Sequence, residues 1–239
     1  VLGGSCTYFS AAASFYGPVR MVAAVGDDFP SSGLAAIKRF PAIDTAGLEV
    51  RQGSKTFRWG GKYRADMNSR DTLFTELGVL AEKPPTVPQS FRDSRLVFLA
   101  NSHPGVQAEL LGAFTSRKLA VADTMDLWIN NARQELLRLL KQVDGLVLNY
   151  DEAELFTSKR NPVTAAKHIL EMGPRFVIVK KGEHGAILVH RDGVCSLPAF
   201  PTEAVVDPTG GGDTFAGGVM GALAASNAAD PGSFENVRK

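Results

Sequence analysis

The sequence predicts a layered α/β domain, with a mainly parallel sheet covered by helices on both faces. Three observations carry that prediction. Short apolar runs alternate with amphipathic segments, the rhythm of repeated β-α-β units. Several runs are near-continuously apolar, as strands buried on both faces must be. A glycine-rich turn, Gly210-Gly211-Gly212-Asp213, opens straight into an apolar stretch of helical character.

In chain order, helix is expected over 5–16 and strand over 20–24, where Met21-Val22-Ala23-Ala24 is continuously apolar. Helix follows over 32–40. Residues 48–80 break the rhythm: Val50, Phe57, Trp59, Tyr63, Leu73, Phe74 and Leu77 stand among Gly60-Gly61, Arg64, Asn68 and Arg70. That stretch reads as a β-rich insertion and a candidate lid, since closure over a site excludes water. A surface hairpin without a role is the equal alternative. Residues 81–89, with Pro84-Pro85 and Pro88, read as the exit linker. Strands are then expected over 96–100, 119–122, 145–148, 176–179, 186–189 and 193–197. Helices are expected over 105–114, 132–142, 152–156, 162–172 and 212–225. The division is a core of 1–47 and 81–239 with an insertion of 48–80.

Composition narrows the function. The 239 residues suit one large domain, 44% hydrophobic and 21% charged. Lys and Arg number 26 against 25 Asp and Glu, so no broad basic field points to nucleic acid or a membrane surface. Cys6 and Cys195 are too few for a disulfide-stapled scaffold, and a cytoplasmic setting is expected. No apolar run is long enough to span a bilayer. The chain opens on Val1-Leu2-Gly3-Gly4, which reads as an incomplete N-terminus.

Chemistry concentrates at the glycine run. Three glycines let several N–H groups converge without a Cβ in the way, and the following helix adds the positive end of its dipole. An anion is welcome there, yet Asp213 would repel it. The conflict resolves if Asp213 takes a proton from an attacking hydroxyl while the amides of Gly210, Gly211 and Gly212 hold a transferred phosphoryl group. The plainer reading is a tight connection with an acidic residue suited to a first helical turn.

Other groups stand at strand exits. Asn149 and Glu152 follow an apolar strand at N-x-x-E spacing, suited either to a hydrated Mg²⁺ or to capping a short helix. Lys180, Gly182 and Gly185 follow the next, where glycines permit close approach and a lysine could meet phosphate charge. Asn101 and Asp123 follow two more strands as acceptor-side groups or Asx-turn formers. Arg70 and Asn68 could reach an acceptor from the lid, and Tyr8, Trp59, Tyr63 and Trp128 could stack on a base.

The run Val205 to Gly218 resembles the C-terminal signature of the PfkB (ribokinase-like) family of sugar and nucleoside kinases, D-T-x-G-A-G-D. Pro208 stands for the usual Thr and Gly211 for the usual Ala. Asn149-Tyr150-Asp151-Glu152 resembles the family's N-x-x-E, and residues 180–185 resemble its V-x-x-G-x-x-G. Gly3-Gly4 resembles its N-terminal glycine pair, with Tyr8 where many members carry a sugar-binding Asn. Val25-Gly26-Asp27-Asp28 resembles a further pattern, read as structural.

The resemblance implies a ribokinase-like three-layer α/β/α sandwich with a small β lid. It implies ATP-dependent phosphorylation of a hydroxymethyl group on a sugar or sugar-like molecule, with Asp213 as base. ATP would lie against Lys180, Gly182 and Gly185, with Mg²⁺ supported through water by Asn149 and Glu152. Gly3, Gly4, Tyr8, Asn101, Asp123 and Arg70 would face the acceptor. Some relatives bind a monovalent cation through groups matching Asp207 and Thr209, which implies a K⁺ site. Lid pairing in some relatives implies a homodimer. The family's first strand and C-terminal end are expected to be missing. The alternatives are a nucleoside kinase and a silent sugar- or nucleotide-sensing protein on the same fold. A Walker P-loop, a dinucleotide fingerprint, a zinc motif and the G-x-S-x-G elbow are all absent.

Overall fold

The computed structural model describes residues 2–64 and 70–239, with the side chain of Arg70 outside the description. The elements run α1 (Ser5–Ala13), β1 (Val19–Gly26), α2 (Ser31–Ile37), β2 (Ile43–Arg51), β3 (Arg58–Tyr63), β4 (Arg70–Glu76) and β5 (Leu96–Leu99). There follow α3 (Pro104–Leu111), β6 (Leu119–Asp123), α4 (Asp126–Asn131), α5 (Arg133–Leu140), β7 (Gly145–Asn149), α6 (Tyr150–Thr157) and α7 (Pro162–Leu170). The chain closes with β8 (Phe176–Lys180), β9 (Ala186–His190), β10 (Gly193–Leu197), α8 (Gly211–Ala225) and α9 (Phe234–Val237).

The main sheet has the order β10-β9-β8-β7-β6-β5. β5 to β8 are mutually parallel, because each connection between them carries helix and must return the chain to the same end. The last two strands join by short turns and are antiparallel. β1 and β2 form a separate parallel pair, and β3 and β4 an antiparallel hairpin.

Strand alternation sorts the core into two layers. Ala120 and Ala122 of β6, Leu146 and Leu148 of β7, and Val177 and Val179 of β8 pack toward α3, α5, α6 and α7. Leu119, Val121, Val147, Phe176 and Ile178 face the other way, onto Ala216, Met220 and Leu223 of α8. The first layer is dense: Leu136, Leu139, Leu140 and Ile169 are fully buried. Each such side chain contributes about 1.5–3 kcal/mol. Local chemistry sets the helix ends. Asn161 Oδ1 accepts from the amides of Val163 and Thr164, both at 3.0 Å, with Pro162 in the first helical position.

Several expectations are redrawn. β2 spans 43–51 and so runs through the boundary expected at residue 48. α4 and α9 were not anticipated. The helix expected over 5–16 ends at Ala13, and α6 starts at Tyr150, two residues earlier than expected. β3 and β4 do supply a β-rich segment between β2 and β5. Asn68, and the side chain of Arg70, lie outside the described residues.

Candidate active site

Period-two alternation aims three polar side chains at one place. Leu119 and Val121 of β6 face α8, so Asp123 points the same way. Val147 of β7 and Ile178 of β8 do likewise, and Asn149 and Lys180 follow two residues on. Asn149 and Lys180 are register partners. α8 brings the fourth group. Its buried stripe of Ala216, Met220 and Leu223 extends back at helical spacing to Asp213. All four line a cleft of about 2070 Å³ that also reaches between β1 and β5.

Gly210 caps α8 in a left-handed conformation, φ 77° and ψ −1°. The Gly211 amide donates to the Pro208 carbonyl at 3.1 Å, and the Thr214 amide to the Gly210 carbonyl at 2.8 Å. Among the described residues, the amides of Gly210, Gly212 and Asp213 have no hydrogen-bond acceptor. The expected trio of Gly210, Gly211 and Gly212 is therefore redrawn. The tight turn uses the Gly211 donor, and the Asp213 amide is open in its stead among the described residues.

α1 adds a second helix start. Gly4 is its N-cap, φ 94°, and Gly3 beside it is exposed. Along α8, Gly210 lies against the Tyr8 ring, Gly217 against the Phe9 carbonyl and Gly221 against Tyr16. Positions ascend together, so the two helices run in the same direction and both N-termini face the site. Two positive dipole ends therefore serve one location.

The carboxylates are tuned by this setting. Burial pushes Asp213 up to about 6, and the negative charge of Asp123 adds to the rise. Lys180 and a hydrogen bond with the Ser5 side chain pull the other way. Asp123 is only 5% exposed, and burial raises it against the opposing pull of Lys180. The Lys180 ammonium stands 3.9 Å from Asp123 Oδ1. A carboxylate with a midpoint near 6 is ionised at neutral pH and still basic enough to take a proton.

Asn149 and Glu152 form a capping box on α6. Asn149 Oδ1 accepts the Glu152 amide at 2.8 Å, and Glu152 Oε2 accepts the Asn149 amide at 2.7 Å. Among the described residues no cluster of three His, Cys, Asp or Glu side chains could hold a metal. Asn149 Oδ1 and Glu152 Oε2 each already accept a backbone amide, an arrangement that suits a hydrated Mg²⁺ held through its waters. Asp207 Oδ1 accepts the Thr209 amide at 2.9 Å, and hydrogen bonds from Thr209 hold the exposed Asp207 carboxyl below the usual range. The Thr209 hydroxyl in turn donates to Tyr63 on β3 at 3.2 Å.

Beyond Lys180, Gly182 opens a 3₁₀ turn at φ 54° and lines the cleft. Gly185 instead closes the β8–β9 turn, where a Cβ would stand 1.9 Å from the Leu197 carbonyl oxygen. The Asn101 amide is engaged at both ends: Oδ1 accepts from Trp128 Nε1 at 2.9 Å and Nδ2 meets Met125 Sδ. That bond fixes Trp128, whose ring His103 meets edge-on at 5.3 Å between centroids. Ser5, beside Asp213, was not singled out from sequence, although its place just after the Gly3-Gly4 pair was visible.

Residues 3–231 match the family described as pfkB family carbohydrate kinase. The chain is 30% identical over 228 residues to a cytidine kinase of Thermococcus kodakarensis, covering 91% of this chain and 78% of that protein. It is 27% identical to a nucleoside kinase of Methanothermobacter thermautotrophicus, covering 84% of this chain and 64% of that one. The fold matches the adenosine kinase of Sinorhizobium meliloti at a TM-score of 0.77 and 21% identity, over 99% of this chain and 74% of the other.

Proposed function

The chain belongs to the pfkB family of carbohydrate kinases, and on that premise we propose that it moves the γ-phosphoryl group of ATP to the hydroxymethyl group of a nucleoside. One observation carries the reading: the Asp213 carboxylate, pushed up to about 6, stands at a turn where the amides of Gly210, Gly212 and Asp213 have no acceptor among the described residues.

The acceptor hydroxyl gives its proton to Asp213 as its oxygen forms a bond to the γ-phosphorus. The bond from that phosphorus to the bridging oxygen breaks, and ADP leaves. The amides of Gly210, Gly212 and Asp213 take up charge on the migrating group, as positioning and electrostatics dominate such transfers. ATP lies along the exits of β7 and β8, past Lys180 and Gly182. Asn149 and Glu152 would hold Mg²⁺ through its waters, and the ion would supply positive charge against the triphosphate. Asp207 and Thr209 would hold a K⁺, which would supply further positive charge beside the glycine turn.

A nucleoside is favoured over a free sugar on two grounds. The 30% identical relative is a cytidine kinase. Trp59, Tyr63 and Phe74 of the β3–β4 hairpin line the cleft, and their ring faces suit a base. We also assign the hairpin as the lid and, through exposed Leu73 on the face away from Phe74, as the contact of a homodimer. The two free cysteines and the use of ATP fit the cytoplasm.

An ADP-release assay against nucleosides, sugars and inositols tests the reading. Turnover of at least one nucleoside with higher kcat/KM than any sugar is expected. Turnover of sugars alone would reassign the acceptor. No turnover at all, with ATP binding intact, would favour a sensor on the kinase fold.

A further inference from the structure

We propose that Lys180 is the cation that receives the migrating phosphoryl group, seated by Gly212 and tethered by Asp123, so that Asp123 is a positioning residue and not an acceptor ligand. The inference rests on the kinase reading above and adds a residue role to it.

Gly212 is the first clue. It occupies the second position of α8 and lacks the positive φ that would demand glycine. A Cβ there would stand 2.6 Å from Lys180 Nζ and 3.4 Å from its Cε. Backbone geometry does not require glycine at 212, and a side chain there would push the flexible end of Lys180 aside. The third glycine of the run is thus a seat for a charge arriving from β8.

The ammonium is also underused. The Lys180 side chain is only 16% exposed, so its charge is largely withdrawn from water. Among the described residues its one ion pair is with Asp123 at 3.9 Å, longer than a hydrogen bond. Three N–H donors therefore lie beside Gly212 at the start of α8. Asp123 Oδ1 already accepts the amide of its neighbour Thr124 at 2.9 Å, which fixes the carboxylate as a rigid anchor.

Charge balance points the same way. Asp213 and Asp123 both bear on this location, and Lys180 is the cation that opposes them. A phosphoryl group entering without Lys180 would meet two carboxylates. With it, the group meets an ammonium and three amides. Tethering matters because a free lysine has four rotatable carbons and would lose its aim.

Two variants, Lys180→Met and Asp123→Asn, and two readouts test this. The readouts are steady-state kinetics and calorimetric binding of inorganic phosphate. K180M is expected to lower kcat by about 100-fold or more, with acceptor KM within about threefold, the pattern of an interaction made in the transition state. It should also weaken phosphate binding by about tenfold or more, while K180R retains that binding. D123N should bind phosphate more tightly, because one repelling carboxylate is gone, yet lose about tenfold in kcat with acceptor KM unchanged. Wild-type phosphate affinity and kcat in K180M would overturn the role of Lys180. A raised acceptor KM in D123N with phosphate binding unaltered would make Asp123 an acceptor ligand and overturn the tether. If the wild type turns over no acceptor, the kinase reading fails, and the phosphate arm still decides whether Lys180 and Asp123 shape an anion site.

Discussion

The ring of Tyr8 lies so close to Gly210 that a Cβ at 210 would stand 2.3 Å from Tyr8 Cδ2. Gly210 is also left-handed, a conformation that costs other residues about 1–2 kcal/mol. Gly210→Ala is therefore expected to lower the melting temperature and cut kcat by about 100-fold or more. Gly211 has nothing within 4 Å of its added Cβ, and its amide is already bonded to Pro208. Gly211→Ala should keep kcat within about threefold and gain up to about 1 kcal/mol of stability from helix propensity. Paired kinetics and thermal melts of the two variants check this contrast.

The pH dependence follows from Asp213. It must be ionised to accept a proton, so kcat/KM should rise with unit slope and reach half its plateau near pH 6. The charge of Asp123 helps raise that midpoint, so Asp123→Asn should move it to lower pH. A profile from pH 4.5 to 8.5 in both proteins measures the shift.

Stability carries the opposite sign at the same residue. The folded-state value of Asp213 lies above its unfolded value of 3.8, so the folded protein binds the proton more tightly. Stability from this group is fully present below about pH 4 and lost as pH rises through 6. Asp213→Asn should therefore be more stable than wild type at pH 7.5, by at most about 2–3 kcal/mol, with little difference at pH 4. Urea unfolding at the two pH values reads it.

The capping box makes a plain structural prediction. Removing the Asn149 side chain leaves the Glu152 amide without its acceptor at the start of α6. Asn149→Ala should cost about 1 kcal/mol, and Asn149→Ser much less. Urea denaturation resolves the difference.

A hydrogen bond from the Thr209 hydroxyl to Tyr63 ties the hairpin to the glycine turn. Tyr63→Phe removes the acceptor while keeping the ring. It should change stability by about 1 kcal/mol or less and lower kcat/KM for the acceptor several-fold. Effects confined to stability would separate the hairpin from catalysis.

Legibility followed the range of the interactions. The run around Gly210 could be read because its demands are local: a left-handed turn, a helix start, an acidic residue on the buried stripe. The strands β6, β7 and β8 could be read because both faces are buried, which forces continuous apolar runs. β2 escaped because Ile43–Arg51 mixes Asp44, Thr45 and Glu49 with its apolar residues. Its partner β1 covers one edge only, so no apolar run was required. N-x-x-E is also the spacing of a capping box, and sequence alone weighed that role for Asn149 without seeing that Glu152 reciprocates. The approach of Lys180 to Gly212, and its pairing with Asp123, join residues 32 or more positions apart and have no local trace. Gly212 looked like a third turn glycine, and the end of Lys180 occupies the space beside it.

The most direct test of the central claim is single-turnover phosphoryl transfer from ATP by Asp213→Asn with the preferred acceptor. The account predicts ATP binding near the wild-type level and a transfer rate reduced by about 10²–10⁴. Transfer at the wild-type rate would show that the carboxylate at 213 is not the proton acceptor.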